Sequence, residues 1–254
     1  MRLYAILCEV LARQAYYAAA VSPHVVDIEL IDKGLHNEPA RLRAHLQARI
    51  DAVDAQGYDA LLLGFGLCSH STVGLHAQHT PLVLPRAHDC ITLFLGSKER
   101  YGDEFRATPG TYWYAPDYYE RGGNQSGQVA LGAADDANIA DVYQEYVAKY
   151  GKDNADYLME VMGAWQQHYS RAAYVSPSEM ALPDYRPAVR EIAARRGWTF
   201  QELAGSLVLV RGLIDGQWPP EDYQLVPPGE MLVATNDERI MGSRPYREED
   251  ADGA

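Results

Sequence analysis

Cysteine is scarce in this sequence, and none occurs beyond residue 90. The 254 residues contain three cysteines, an odd number, and no CxxC pair. Small secreted proteins that depend on disulfides carry many cysteines in even numbers, and closed zinc ribbons carry paired CxxC elements. The sequence therefore excludes a disulfide framework and a structural zinc ribbon. We expect reduced thiols in a cytoplasmic protein.

Basic residues and long apolar runs are scarce as well. Lys and Arg number 22 against 35 Asp and Glu, which gives a formal net charge of −13. Such a chain repels phosphate backbones and anionic lipid unless a local basic patch intervenes, and no such patch is visible. No apolar run approaches the ~18 residues of a membrane-spanning helix. We expect neither nucleic acid nor a membrane as partner, and the sequence leaves a homo-oligomer open.

Several common catalytic motifs are missing. The segment GFGLC does not complete the GxGxxG pattern of dinucleotide-binding proteins. The chain also contains no Walker A run and no GxSxG nucleophile elbow. These absences argue against a dinucleotide-binding protein, a P-loop nucleotide-binding protein and an α/β-hydrolase. The cysteines remain as the main candidates for chemistry.

The first part of the chain alternates strand-like and helix-like patterns. Short apolar runs predict four strands, and segments with helical spacing separate most of them. The predicted strands are Leu3–Cys8, Val25–Ile31, Ala60–Phe65 and Pro81–Leu84. This order predicts an α/β fold, a Rossmann-like three-layer parallel sheet with a second α/β lobe after it.

The composition suggests boundaries between domains. We predict an N-terminal α/β lobe that carries the Cys/His site over residues 1–122 and a Gly/Ala/Gln-rich surface connector over 123–138. A helical and α/β C-terminal lobe follows over 139–243, and a frayed acidic tail over 244–254. The aromatic-rich segment Pro109–Gly123 is interpreted as a packed cover over the sheet edge. Periodicity leaves Ser206–Ile214 open between helix and strand.

Each cysteine lies near the C-terminal end of a predicted strand. Cys8 ends the first strand, Cys68 follows the third, and Cys90 follows the fourth, with His88 just before it. In open α/β sheets, ligands bind beyond the carboxyl ends of the strands. We therefore expect the three thiols and the His88 imidazole to meet at one edge of the sheet.

Thiolate sulfur and imidazole nitrogen are ligands that zinc prefers, and a catalytic zinc keeps one position open. Cys68, His88 and Cys90 supply three ligands, and Cys8 is a candidate fourth ligand that a substrate could displace. Thiolates also hold iron–sulfur clusters, so the spacing leaves zinc and an iron–sulfur cluster open. A metal-free cysteine nucleophile activated by His88 is a further alternative, but it needs only one thiol.

Three more residues near this site are candidates for proton transfer or substrate binding. Asp89, between His88 and Cys90, and His36, after the second predicted strand, are candidates for handling a proton. Arg86 could anchor an anionic group by a bidentate contact. Taken singly, residues of these types are more often ordinary solvated side chains.

Long segments of the chain resemble a known family. They are LLLGFGLCSHSTVGL, PRAHDCITLFLGSKERY, PGTYWY, LHNEP, KYGKDNADYLMEV and GLIDGQWPPEDYQLVPPGE. In these segments the sequence resembles the prokaryotic domain-of-unknown-function 1638 family. The resemblance implies a cysteine/histidine site at the strand ends, here Cys8, Cys68, His88 and Cys90. It also implies a link with corrinoid-dependent one-carbon metabolism in anaerobes.

Together these features predict a metal–thiolate enzyme that acts on a small-molecule substrate by methyl or thiol transfer, with a corrinoid protein as a partner. The metal would lower the pKa of an acceptor thiol. An HxC element with a distant cysteine looks like the zinc set of corrinoid:thiol methyltransferases, although those proteins are barrels. The alternatives are a non-catalytic metal or cofactor carrier and an open-site iron–sulfur enzyme.

Overall fold

The helices and strands follow the apolar patterns of the sequence in a computed structural model that describes residues 1–121, 144, 147–148, 151–152, 154 and 169–250. The strands are β1 (Arg2–Cys8), β2 (Val25–Ile31), β3 (Ala60–Gly64), β4 (Leu82–Pro85), β5 (Thr111–Tyr114), β6 (Arg171–Pro177), β7 (Thr199–Gly205), β8 (Tyr223–Val226), β9 (Glu230–Ala234) and β10 (Met241–Pro245). The α-helices are α1 (Ala12–Val21), α2 (Pro39–Val53), α3 (Cys90–Leu95), α4 (Lys98–Ala107), α5 (Pro116–Glu120), α6 (Arg186–Arg196) and α7 (Val208–Ile214). Short 3₁₀ helices occupy Glu9–Leu11, Lys33–Asn37 and Glu248–Asp250.

The described residues fall into two structural units. The first contains residues 1–101, 177–179 and 205–250, and the second contains the described residues of 102–176 and 180–204. The predicted connector over 123–138 and the last residues of the predicted tail, 251–254, lie outside the described residues. So do the predicted lobe boundaries between 122 and 139, which stay a prediction.

The first unit is built on a five-stranded, mostly parallel sheet. The strand order is β2-β1-β3-β4-β8, in which β1 to β4 are parallel and β8 pairs antiparallel with β4. Side chains alternate between the two faces of a strand, so Leu3, Ala5 and Leu7 of β1 share one face. They pack in one apolar cluster with residues of β3, β4, α1 and α7. The expected α/β class and mostly parallel sheet are thereby confirmed.

Helix α2 shows how the sequence pattern translates into packing. Its buried residues Leu42, Leu46, Ile50 and Val53 recur at the spacing of an amphipathic helix. Pro39 occupies the first turn, where its missing N–H has no intrahelical partner to lose. The open assignment of Ser206–Ile214 is settled as helix α7, which buries Leu209, Leu213 and Ile214 in the same cluster as β1.

The second unit has its own core of aromatic residues. Strand β5 pairs parallel with β6 in a three-stranded sheet ordered β5-β6-β7. Tyr112, Tyr114, Tyr174 and Trp198 are buried together there. The segment Pro109–Gly123, which the sequence indicated as a loop covering a sheet edge, thus contributes a strand to this core. The sequence TYWY could have indicated this strand, because threonine and aromatic residues favour strands.

Strands β8 and β10 have no counterpart in the sequence-based prediction. The Pro and Gly residues around them indicate turns, and only pairing with neighbours makes them strands. Strand β8 completes the first sheet beside β4, while β10 pairs antiparallel with β9 in a separate two-stranded sheet. In the described parts of the chain, no helix has the length and apolar character needed to cross a membrane.

Arg86, the residue directly after β4, holds the late segments of the chain against this sheet. Its side chain is buried, with 7% of the residue exposed. Nε donates to the Pro220 carbonyl at 2.7 Å, and Nη1 donates to the carbonyls of Arg239 and Met241. Nη2 donates to Oε1 of Gln224 at 2.8 Å. Because these bonds occupy most of the guanidinium, the geometry does not favour the predicted role of Arg86 as an anchor for an anion.

We expect Arg86→Lys to lower the free energy of unfolding by about 2–4 kcal/mol, because an ammonium cannot reach this set of acceptors and leaves buried carbonyls without donors. Urea unfolding followed by circular dichroism measures the change. The matched control is Arg41→Lys, whose side chain is 60% exposed in a pair with Glu38. It should change stability by no more than about 0.5 kcal/mol. Equal stability of both variants would contradict the assigned role.

Candidate thiol site

The strand register brings the cysteines to one edge of the sheet. In β1, Cys8 is aligned with Ile31 at the end of β2, and Leu7 is aligned with Gly64 at the end of β3. The loops that carry Cys68 and Cys90 leave β3 and β4 at the same edge, since parallel strands share their direction. In the strand order β2-β1-β3, the connection after β1 runs to one side of β1, and the connection after β2 crosses to β3 on the other side. Open α/β sheets bind ligands at such a point of reversal, here between β1 and β3.

The loops after β3 and β4 are joined through their backbones. The N–H of Leu67 donates to the Ala87 carbonyl at 2.8 Å, and the N–H of Cys68 donates to the His88 carbonyl at 2.9 Å. Gly66 makes this approach possible, because a Cβ there would lie 2.6 Å from the Ala87 oxygen. Cys68 therefore lies beside the segment that carries Cys90.

Cys68 begins a strained turn. Cys68, Ser69 and His70 have φ values of 45°, 57° and 65°, so three successive non-glycine residues adopt the left-handed conformation. Each such residue costs roughly 1–2 kcal/mol. The Ser71 hydroxyl donates to the Cys68 carbonyl at 2.7 Å, and Arg43 Nη2 donates to the His70 carbonyl at 3.2 Å. Strain of this kind persists only where surrounding contacts enforce it, and it is common at functional sites.

The thiol site comprises Cys8, which is buried, and Cys68 and Cys90, which are half-buried. Burial raises the pKa of Cys8 to about 12. Burial is also the main reason that the pKa values of Cys68 and Cys90 are raised. Negative charge on Cys8 raises the pKa of both other thiols, and negative charge on Cys68 raises that of Cys90. The three groups are close enough to interact and carry their protons at neutral pH.

Asp89 caps helix α3, which begins at Cys90. Its Oδ1 accepts the N–H of Ile91 at 3.0 Å, and its Oδ2 accepts the Tyr101 hydroxyl at 3.1 Å. Burial raises the pKa of Asp89, and these hydrogen bonds partly oppose that effect. The negative charge of Asp89 in turn raises the pKa of Cys90. Asp89 thus lies beside the Cys90 thiol, and its role in handling a proton stays a prediction. Tyr101 is a site residue that sequence reasoning missed.

His36 lies at this edge, in the 3₁₀ helix after β2. Its ring stacks on Phe65, the residue that follows β3, with ring centroids 5.9 Å apart and 24° between the planes. Its Nδ1 lies 3.0 Å from the Lys33 carbonyl. Burial lowers the pKa of His36, so the imidazole is neutral at neutral pH. A hydrogen bond from Nδ1 to a carbonyl leaves Nε2 as a proton acceptor.

Lys33 is a second residue that sequence reasoning missed. Its side chain is half-buried, and burial lowers its pKa, while the negative charges of Glu9, Cys8 and Cys90 raise it. Its backbone N–H donates to Oε1 of Glu9 at 3.1 Å. The available sequence signal was its place just after the end of β2, at the same edge of the sheet as the cysteines.

The His88 side chain is exposed, and only its carbonyl is tied to the loop of Cys68. The fold therefore gathers the three thiols and Asp89, with His36 and Lys33 at the same edge, and leaves the His88 imidazole at the surface. Within the part of the chain that the structure describes, no three His, Cys, Asp or Glu side chains are arranged to hold a metal ion. Ligation by this site would require side chains to rotate.

Comparison with known proteins gives one match. A family model described as "Protein of unknown function (DUF1638)" matches residues 30–214, which is more than half of the chain. The matched region contains Cys68, His88, Asp89 and Cys90, whereas Cys8 lies before it. No curated protein and no solved structure matches the sequence significantly.

We expect Gly66→Ala to destabilise the protein by about 1–3 kcal/mol, because the new Cβ would meet backbone atoms of Ala87 and Asp89 at 2.6 and 2.7 Å. Urea unfolding measures the loss. Gly242→Ala is the control, since its Cβ would meet side-chain atoms at 3.5 and 3.9 Å, an ordinary contact distance. A Gly66→Ala protein as stable as the control would show that the two loops are not in close contact.

We expect Ser69→Gly to stabilise the protein by up to about 1 kcal/mol, because glycine adopts positive φ without the penalty of a Cβ. Thermal and urea unfolding measure the gain. In the control Ser178→Gly, an exposed turn residue without positive φ is replaced, and a small loss is expected. A loss of stability in both variants would argue against the left-handed turn.

Proposed function

The chain belongs to the family described as protein of unknown function (DUF1638), and we propose that it is a metal–thiolate enzyme acting on a small-molecule substrate. Membership of this family leaves the activity open. Cys8, Cys68 and Cys90 would hold a transition-metal ion at the carboxyl edge of the sheet. His88 is the candidate for a further ligand, which requires its exposed side chain to turn inward.

The convergence of three interacting thiols at one edge of the sheet carries this proposal. Their pKa values are all raised, so none is an activated nucleophile without a cation. A soft metal ion removes thiol protons on binding and compensates the resulting charge. A metal-free nucleophile would need a thiol of lowered pKa and would leave the other two unexplained.

The donor set suits zinc, and it also suits an iron–sulfur cluster with one iron left for substrate. The side chains are not preorganised around an ion, as the described arrangement shows. Rotation of a cysteine about its Cα–Cβ bond moves the sulfur and leaves the backbone in place. The neighbouring loops that hold Cys68 and Cys90 can therefore keep their hydrogen bonds while the thiols converge.

The chain supplies acceptors for a proton beside the thiol site. When bound, a zinc ion lowers the pKa of a substrate thiol so that it reacts as a thiolate near neutral pH. Nε2 of the neutral His36 imidazole can take up that proton, and the Asp89 carboxylate, held by Tyr101, is the alternative acceptor.

The reaction that we propose is methyl or thiol transfer in corrinoid-linked one-carbon metabolism, with a corrinoid protein as partner. Its support is the resemblance of the cysteine and histidine motifs together with a thiol-rich site. The proposal includes a cytoplasmic location, where thiols stay reduced, and a Rossmann-like three-layer arrangement of the first unit. Strand order β2-β1-β3-β4 supports that arrangement.

Two alternatives share the same ligands. A metal or cofactor carrier would hold its ion with no position open to substrate. An open-site iron–sulfur enzyme would bind three thiolates and leave one iron exposed. The composition of the bound metal and its response to small thiols separate these alternatives.

Protein purified without oxygen should contain zinc, or iron together with acid-labile sulfide, when analysed by mass spectrometry of the elements. Cys68→Ser and Cys90→Ser should each lose most of the metal, because a hydroxyl is a poor substitute for a thiolate. Ser69→Ala, next to Cys68 and exposed, is the matched control and should retain it.

Negligible metal in both the wild type and Cys90→Ser would rule out the metalloenzyme. A metal content that the cysteine substitutions leave unchanged would show that the metal binds at a different site. In cobalt-substituted protein, a change in the absorption spectrum on adding a small thiol would indicate an open position and favour an enzyme. An unchanged spectrum would favour the carrier.

A further inference from the structure

We propose that the outer edge of strand β2 is the interface of a homodimer, in which β2 pairs antiparallel with β2 of a second copy of this chain. The two five-stranded sheets then join into one continuous sheet across a two-fold axis at Ile28. Neither the thiol site nor a metal ion takes part in this interface.

Strand β2 is a terminal strand of the first sheet, and its outer backbone groups are open. The N–H of Val25 donates to the Met1 carbonyl at 3.1 Å, so the backbone groups of Val25 and of every second residue after it point toward β1. Those of Val26, Ile28 and Leu30 point away from β1. Within the described residues, these outward groups have no hydrogen-bond partner. Such an edge is a ready template for pairing with another strand.

Strand β2 lacks three features that commonly protect a sheet edge. Its sequence VVDIELI contains no proline and no lysine, and its seven residues pair with β1 in unbroken register, without a bulge. The opposite end of the sheet differs, because β8 contacts β9 and β10. The open edge of this sheet is therefore β2.

One face of this edge is apolar. Side chains alternate along a strand, so Val26, Ile28 and Leu30 share one face, where each is only partly buried at the rim of the apolar cluster. Ala19 of α1 lies at the same rim, and Tyr16, one helical turn before it, is 54% exposed. In an antiparallel pair centred on Ile28, Val26 of one copy lies opposite Leu30 of the other. Association removes this apolar surface from water, which is favourable.

The charges on the other face balance. Asp27 pairs with Arg2 at 3.6 Å, and Glu29 pairs with Arg49 at 2.6 Å. In the same antiparallel pair, Asp27 of one copy lies opposite Glu29 of the other, and like charges in this position repel unless they are neutralised. Because each carboxylate brings its own guanidinium group, this face of the dimer has no net charge. The edge thus matches itself on both faces, as a two-fold interface requires.

Sedimentation equilibrium of the full chain should show a dimer. Ile28→Lys places two ammonium groups at the axis and should raise the dimer dissociation constant by at least about 100-fold, because like charges repel across an interface. Tyr16→Ala removes an exposed aromatic side chain and should raise it by about 10-fold. Leu225→Lys is the matched control, since Leu225 is 45% exposed on β8 at the opposite edge, and it should dimerise as the wild type does.

Cross-linking tests the register and does not depend on how well Ile28→Lys folds. The outward backbone groups of the two Ile28 residues face each other in the dimer, so their Cα atoms lie about 5.5 Å apart. That separation suits a disulfide. Under mild oxidation Ile28→Cys should form a covalent dimer. Leu225→Cys and the wild type, which retain the three native cysteines, should not.

A wild type that stays monomeric up to about 100 μM would overturn the dimer and leave the edge of β2 to a strand of another protein. A dimer that survives Ile28→Lys, with no cross-link in Ile28→Cys, would show that the copies associate through a different surface, which also overturns the proposal. Circular dichroism and urea unfolding show that each variant is folded before its mass is compared.

Discussion

Parallel hydrogen bonding of β1 with β2 on one side and β3 on the other determines where the candidate functional groups lie. Parallel strands end at the same edge, so residues far apart in the chain become neighbours wherever strands end. Cys8 stands at the end of β1, Lys33 and His36 follow β2, and the Cys68 loop follows β3. A shift of one residue in this register would turn each strand's apolar side chains to the opposite face, which the buried core forbids.

The edge of the sheet combines backbone strain with a buried thiol. The left-handed turn at Cys68–His70 and the close backbone contact at Gly66 both cost free energy, as does the burial of the Cys8 thiol. The apolar cluster around β1 and the hydrogen bonds of Arg86 supply stability elsewhere in the same unit. Features that are locally unfavourable and held in place by the rest of a fold are typical of functional sites.

Several parts of the site could be predicted from local sequence and others could not. The strand ends that carry Cys8, Cys68 and Cys90 follow from apolar runs, because a buried strand ends where polar and turn residues begin. Whether the side chains of His88 and Arg86 reach the site depends on packing with distant segments. The Arg86 acceptors come from residues beyond 219, and no local pattern indicates that a guanidinium after β4 would meet their carbonyls. Tyr101 was missed because its contact with Asp89 depends on how α4 packs. Lys33 was missed although its place just after β2 was a local signal.

The sequence by itself determined the α/β class, the parallel strands of the first unit and the placement of the cysteines at strand ends, since apolar periodicity and turn residues act over short distances. Only the tertiary structure decided which groups converge. It added β8 to the sheet, committed Arg86 to the late segments and left the His88 side chain exposed. It also tied the Lys33 backbone to Glu9, the residue after Cys8. These outcomes depend on which surfaces are buried together, and burial is a property of the whole chain.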